Sequence, residues 1–144
     1  MLNSIYVTQE DKFNFVKGLI RISKSDGNIG EEEIAFMKSV AAGMGLTEEN
    51  IKLLQAAAEY DLATDQGKEF FKLQFSTKYQ GIFFLREAVQ LCNIDGVYHD
   101  SEKDEIKIIT QELNISLSTL KEIEDWVIEG MKWRERGDAL LELE

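Results

Sequence analysis

Two short runs of this 144-residue chain carry residue types that could do chemistry, and they share one pattern. Asp26-Gly27-Asn28-Ile29-Gly30-Glu31-Glu32-Glu33 and Asp95-Gly96-Val97-Tyr98-His99-Asp100-Ser101-Glu102 both read Asp-Gly, variable, apolar, three residues, Glu. Carboxylate oxygens are what hard cations prefer, so the first chemistry to weigh is a calcium loop, whose back half this pattern matches. The front half excludes it. With Glu33 as the closing bidentate ligand, the first two ligand positions fall on Ile22 and Lys24, and in the second run on Leu91 and Asn93. An aliphatic side chain supplies no oxygen, and an ammonium repels the ion. A structural role competes with any chemistry here. With Gly30 and His99 as N-caps, Glu33 and Glu102 stand at the third helical position, from which a glutamate reaches back to the cap's own N–H. Asp26 and Asp95 suit Asx-type turns, the glycines permit the positive φ that reverses the chain, and Ile29 or Tyr98 can anchor each turn on a core.

The elements that must position these turns are helices. Phe13, Val16 and Ile20 form a broad stripe with Phe15, Leu19 and Ile22, and so do Ile82, Leu85 and Val89 with Phe84, Ala88 and Leu91. Alternating strand-like runs are missing, so the fold class is all-α. A shift of 69 residues then places Phe15 on Phe84, Ile20 on Val89, Ile22 on Leu91, Asp26-Gly27 on Asp95-Gly96, Met37 on Ile106, Met44 on Leu113 and Leu54 on Ile123. The punctuation follows the same shift. Gly45 falls on Asn114, the two residue types that best tolerate the left-handed end of a helix. Leu46-Thr47 falls on Ile115-Ser116, an aliphatic staple followed by a hydroxyl cap. The expectation is a compact seven-helix bundle with internal duplication, forming one domain over 1–142, with repeat one about 10–61 and repeat two about 79–130. Helices are expected at about 8–25, 31–44, 47–60, 66–75, 77–94, 100–113 and 117–135. Phe70, Phe71 and Phe75 read as core packing on the fourth, and Trp126 and Trp133 as sharing one face of the last. Leu143-Glu144 match the residue of a cloning site and are left out of the fold.

Composition narrows the partners. The chain holds 27 acidic against 16 basic residues, for a net charge of −11, and neither half forms a basic arm. That argues against nucleic acid, whose phosphates need clustered Lys and Arg, and for cations or a protein with a basic surface. No apolar stretch is long enough for a membrane span and the first residues lack a signal-peptide order, so the expected location is the cytoplasm. A single Cys92, beside Leu91 on a helix, reads as a buried structural thiol. With His99 the only histidine, no His-based zinc site or triad can be assembled within the chain. A carboxylate-based hydrolase is a third reading. It lacks both a nucleophile–base pair and a loop long enough to shape a pocket, so the expectation is no enzymatic activity.

Two Asp-Gly-x-apolar-x-x-x-Glu turns between helices, about seventy residues apart in an acidic all-α chain, resemble the TerB (tellurite resistance) family. They are also similar to the N-terminal region of DjlA-type membrane co-chaperones. The resemblance covers roughly residues 10–130. It implies a duplicated seven-helix bundle, a non-enzymatic role in resistance to tellurite and related stresses, and indirect membrane association through partners. It also implies a divalent-cation site, calcium or magnesium rather than zinc, at the family's acidic positions, which match Asp26, Glu33, Asp95 and Glu102. Ser25 and Ile94 stand where the family often has Ala, and Gly30 and His99 where it has a Ser or Thr cap. These four carboxylates reach one ion only if the two turns meet near a pseudo-two-fold axis. The rival is an acidic protein–protein interaction module without metal.

Overall fold

The computed structural model describes residues 2–27, 29–94 and 96–144; Asn28 and Asp95 lie outside it, as does the Asn3 side chain. A single turn, α1 (Leu2–Ile5), precedes seven longer helices: α2 (Gln9–Ser23), α3 (Glu31–Gly43), α4 (Glu48–Ala57), α5 (Asp65–Phe70), α6 (Lys78–Cys92), α7 (Asp100–Glu112) and α8 (Leu117–Leu140). A 3-10 turn, Lys24–Asp26, follows α2. No strand occurs among the described residues, and no helix there is long and apolar enough to cross a membrane.

Local chemistry sets the boundaries. Thr8, Thr47, Thr64, Thr77 and Ser116 each accept, on the side-chain oxygen, a backbone N–H three residues on, and so open α2, α4, α5, α6 and α8. Helix α3 ends into Gly45 at φ +80°, and α7 ends into Asn114 at φ +58°. Leu46 and Ile115 are buried just after them, as staples should be. Residues 9, 23, 31, 43 and 48 bound α2, α3 and the start of α4, while 78, 92, 100, 112 and 117 bound their counterparts, 69 residues on in each case. Packing repeats in kind: α2 packs on α3 and α4, and α6 on α7 and α8.

The structure differs from the expected elements in three places. The fourth helix stops at Phe70, because Phe71, Leu73 and Phe75 turn inward at a period of two and a helix cannot present that spacing to one side. Helix α8 continues past 135 to Leu140. On α6, Ile82 is exposed and its neighbour Phe83 is buried instead. Fully buried Tyr6 covers Phe83, with ring centroids 5.9 Å apart, and also lies 4.8 Å from Phe15 and 5.6 Å from Phe75. Its hydroxyl donates to the Gln80 carbonyl at 2.8 Å, and Gln80 Nε2 donates back to the Ile5 carbonyl. Burial above all, then the Glu87 and Asp11 charges, pushes the phenol upward.

Helix α2 carries an unexpected load of buried polar groups. Its stripe residues Phe15, Val16, Leu19, Ile20 and Ile22 lie in the core, yet Asp11, Asn14, Lys17, Arg21 and Lys24 on or beside it are also buried. Each meets a partner. Lys17 Nζ sits over the rings of Phe13 (5.7 Å) and Phe70 (5.4 Å), and burial, then the Arg21 charge, lowers its pKa. Lys24 Nζ donates to the Ala58 carbonyl. Arg21 donates from Nε to Glu105 and from Nη1 and Nη2 to Glu112, which joins α2 to α7.

Asp11 accepts the Ser76 N–H at 3.0 Å and the Ser76 hydroxyl at 2.7 Å. Burial alone would raise this carboxyl, but those bonds, with Thr8 and Gln80, outweigh it and hold it below the usual range. A depressed folded value means stability that is fully present above the ordinary Asp value of about 3.9 and lost as pH falls below it. Asp11→Asn is therefore expected to lose about 1–3 kcal/mol at neutral pH, since hydrogen bonds to a charge are the strong ones. The variant's stability should also fall less steeply on acidification below that value, which urea unfolding at several pH values would measure.

Candidate functional site

Each Asp-Gly turn is built by the helix it follows and the helix it opens. In the first, the 3-10 turn closes with the Gly27 N–H donating to the Lys24 carbonyl at 2.9 Å, and Gly27 takes φ +120°, a region where a Cβ is strained. In the second, Gly96 takes φ +83° and its N–H donates to the Asn93 carbonyl. Ile29 and Tyr98 then pack on the core as the anchors of their turns. Burial first, then the neighbouring Glu124 carboxylate, pushes the Tyr98 phenol upward, and Lys103 Nζ lies 5.1 Å above its ring.

The helix starts are capped alike. The Gly30 N–H donates to Glu33 Oε1 at 3.2 Å, and the His99 N–H donates to Glu102 Oε1 at 3.0 Å. Each glutamate therefore spends one carboxylate oxygen on its own helix. The first turns of both helices are acidic, with Glu31, Glu32 and Glu33 on α3 and Asp100 and Glu102 on α7, where free N–H groups and the helix dipole favour negative charge.

The 3-10 turn packs against α7, and this contact brings the two sets together. Asp26, Glu33, His99, Asp100 and Glu102 line one cleft of about 330 Å³, floored by Ile22. Three of the four expected carboxylates thus share one cavity. Asp95 lies outside the described residues. Among the described residues no three His, Cys, Asp or Glu side chains stand together as a metal cage.

A second, more apolar groove of about 580 Å³ adjoins the cleft, between α3 and α6. Its walls include four pairs separated by 69 residues: Leu19 and Ala88, Ile22 and Leu91, Ser23 and Cys92, Glu33 and Glu102. Cys92 is buried here, as a structural thiol should be. Phe36 and Ile94 extend the groove to the surface. Sequence reasoning placed neither of these two at a binding surface. The available signal was an apolar residue off the buried stripe of its helix, with Phe36 one position before core residue Met37 and Ile94 just past the last turn of α6. No family model matches the chain, nor does a curated protein or a solved structure.

Proposed function

We propose that this chain is a non-enzymatic, TerB-like cytoplasmic stress-response module, built by internal duplication. In this reading its acidic cleft senses or binds a divalent cation, calcium or magnesium before zinc. The observation that carries the reading is the shared cleft of Asp26, Glu33 and Glu102. The duplication is supported by element boundaries that recur 69 residues on and by lining pairs at the same offset. An all-oxygen donor set suits a hard cation, which would be held by Asp26, Glu33 and Glu102, with Asp95 as the fourth candidate. Such an ion supplies charge neutralisation where two acidic helix starts face each other. Because the described carboxylates are not gathered beforehand, binding draws exposed side chains inward, and the affinity expected is weak, about 10⁻⁴–10⁻³ M.

The capping geometry offers a clean test. Glutamine serves as well as glutamate in a capping box, so Glu33→Gln with Glu102→Gln keeps both caps and removes two charges. The expected result is a fold unchanged within about 0.5 kcal/mol, with calcium- or magnesium-dependent NMR shifts at both turns abolished. If the wild-type spectrum at both turns is unmoved by millimolar calcium, magnesium and zinc, the cation reading fails.

A second reading, an acidic interaction module without metal, is favoured by the apolar groove that exposed Phe36 and Ile94 line together with Glu32, Glu33 and Glu102. That surface matches a partner with basic and apolar residues together. Under it, the same double variant weakens partner capture and salt dependence while metal has no effect.

A further inference from the structure

Helix α8 has two apolar faces. Leu120, Ile123 and Val127 are buried against the bundle. A second stripe, Trp126, Gly130, Trp133, Gly137 and Leu140, repeats every seven residues about a quarter turn away. Its large members are exposed, Trp133 at 74% and Leu140 at 66%. From 132 to 140 every residue of the helix is exposed. A glycine in a helix interior is roughly 0.5–1 kcal/mol worse than alanine, yet a Cβ at Gly130 or Gly137 would meet nothing within 4 Å. The single chain therefore has no packing use for either glycine. Beside the stripe runs a groove of about 710 Å³ between the end of α6 and α8, lined by Leu91, Ile94, Trp126, Val127, Gly130 and Met131.

We propose that a second copy of this chain covers this face, its α8 lying antiparallel to the first across a two-fold axis. One register fits large to small throughout. It sets Gly130 against Trp133 of the second copy and Gly137 against Trp126 of the second copy, each layer occurring twice by symmetry. The same register sets Glu129 beside Arg136 of the second copy, an opposite-charge pair that is also doubled. Each copy's exposed segment 132–140 then lies along the other's α6–α8 groove. That segment carries Lys132, Arg134 and Arg136 against Glu135 and Asp138, a net positive stretch that approaches a body of net negative charge. The interface is isologous, so it closes as a dimer and does not propagate.

Equilibrium sedimentation of the full chain over a concentration series tests the pairing. The expected result is a monomer–dimer equilibrium in which Gly137→Leu raises the dissociation constant at least about tenfold, as filling a central hole should. The monomer's helicity is unchanged or higher in that variant, since leucine is the better helix former. Glu129→Arg alone and Arg136→Glu alone weaken the dimer, and the two together restore it. Monomer mass at every concentration overturns the proposal. So does a dimer indifferent to Gly137→Leu, or one that the double charge reversal fails to rescue.

Discussion

Changing Glu105 and Glu112 together to glutamine should lower stability by about 3–5 kcal/mol, the range seen when a buried ion keeps its charge and loses its partners. The buried ion is Arg21, whose side chain is 8% exposed. Glu105 accepts its Nε at 2.5 Å, and Glu112 accepts Nη1 at 2.8 Å and Nη2 at 3.0 Å. Burial by itself lowers the Arg21 pKa, but hydrogen bonds to Glu112 and Glu105 outweigh it and leave the group raised. Stability from a raised base is lost only as pH climbs through its folded value, far above the physiological range, so this contribution is constant there. A lysine in this position could shed its proton, whereas a guanidinium cannot. Glutamine keeps the shape and one acceptor oxygen at each site, so the change isolates charge. After it, Arg21 keeps only neutral acceptors, the Phe71 carbonyl 3.1 Å from Nη1 among them, and no anion. Arg21→Met should cost less, about 1–3 kcal/mol, because the two carboxylates retain 18% and 27% side-chain exposure and can take water in its place. Urea unfolding of the two variants decides the order. A larger loss for Arg21→Met would place the value of the network in packing and not in charge.

Gly67→Ala is the second large effect, expected to cost about 3 kcal/mol or more from overpacking that the surroundings cannot relieve. A Cβ there would stand 1.9 Å from the Asp61 carbonyl oxygen and 2.8 Å from its carbon. That carbonyl is pinned by the Thr64 N–H at 3.2 Å and the Thr64 hydroxyl at 2.8 Å, while the Asp61 carboxylate holds the Ala63 N–H. Either the turn loses its bonds or α5 moves away from it. Gly18→Ala meets side chains instead, the Phe84 ring at 2.5 Å and Leu73 Cδ1 at 2.9 Å, so about 1–3 kcal/mol is expected. Gly43→Ala, with open space around it, is the control and should stabilise slightly. Calorimetric melting of the three variants checks the order.

Signals that act within a few residues were legible in the sequence. Thr47 and Ser116 open their helices, Gly45 and Asn114 close the preceding ones with positive φ, and Gly30 and His99 receive Glu33 and Glu102 as capping logic requires. Signals that depend on what lies opposite were not. Nothing local in the sequence marks Lys17, Arg21 and Lys24 as buried, and they are buried because Phe70, Glu112 and Ala58 come to them from distant positions. Phe71, Leu73 and Phe75 read as helix because aromatic content says nothing of period on so short a run. The carboxylates of the cleft were legible as a pair of motifs. Their meeting depended on α7 packing on the 3-10 turn, a contact that no local pattern encodes.

The bonds of α2 also bear on how this chain leaves the ribosome. Asp11 waits for Ser76, Asn14 for Gln74 and Arg21 for Glu112, the last separated by 91 positions. At about 5–20 residues per second, the nascent amino-terminal half spends several seconds or more with a carboxylate, an amide and a guanidinium that have no interior to enter. Glu112 must therefore be made before the first long helix can bury all of its polar face, and a translation arrest ahead of it would release a fragment with an open core.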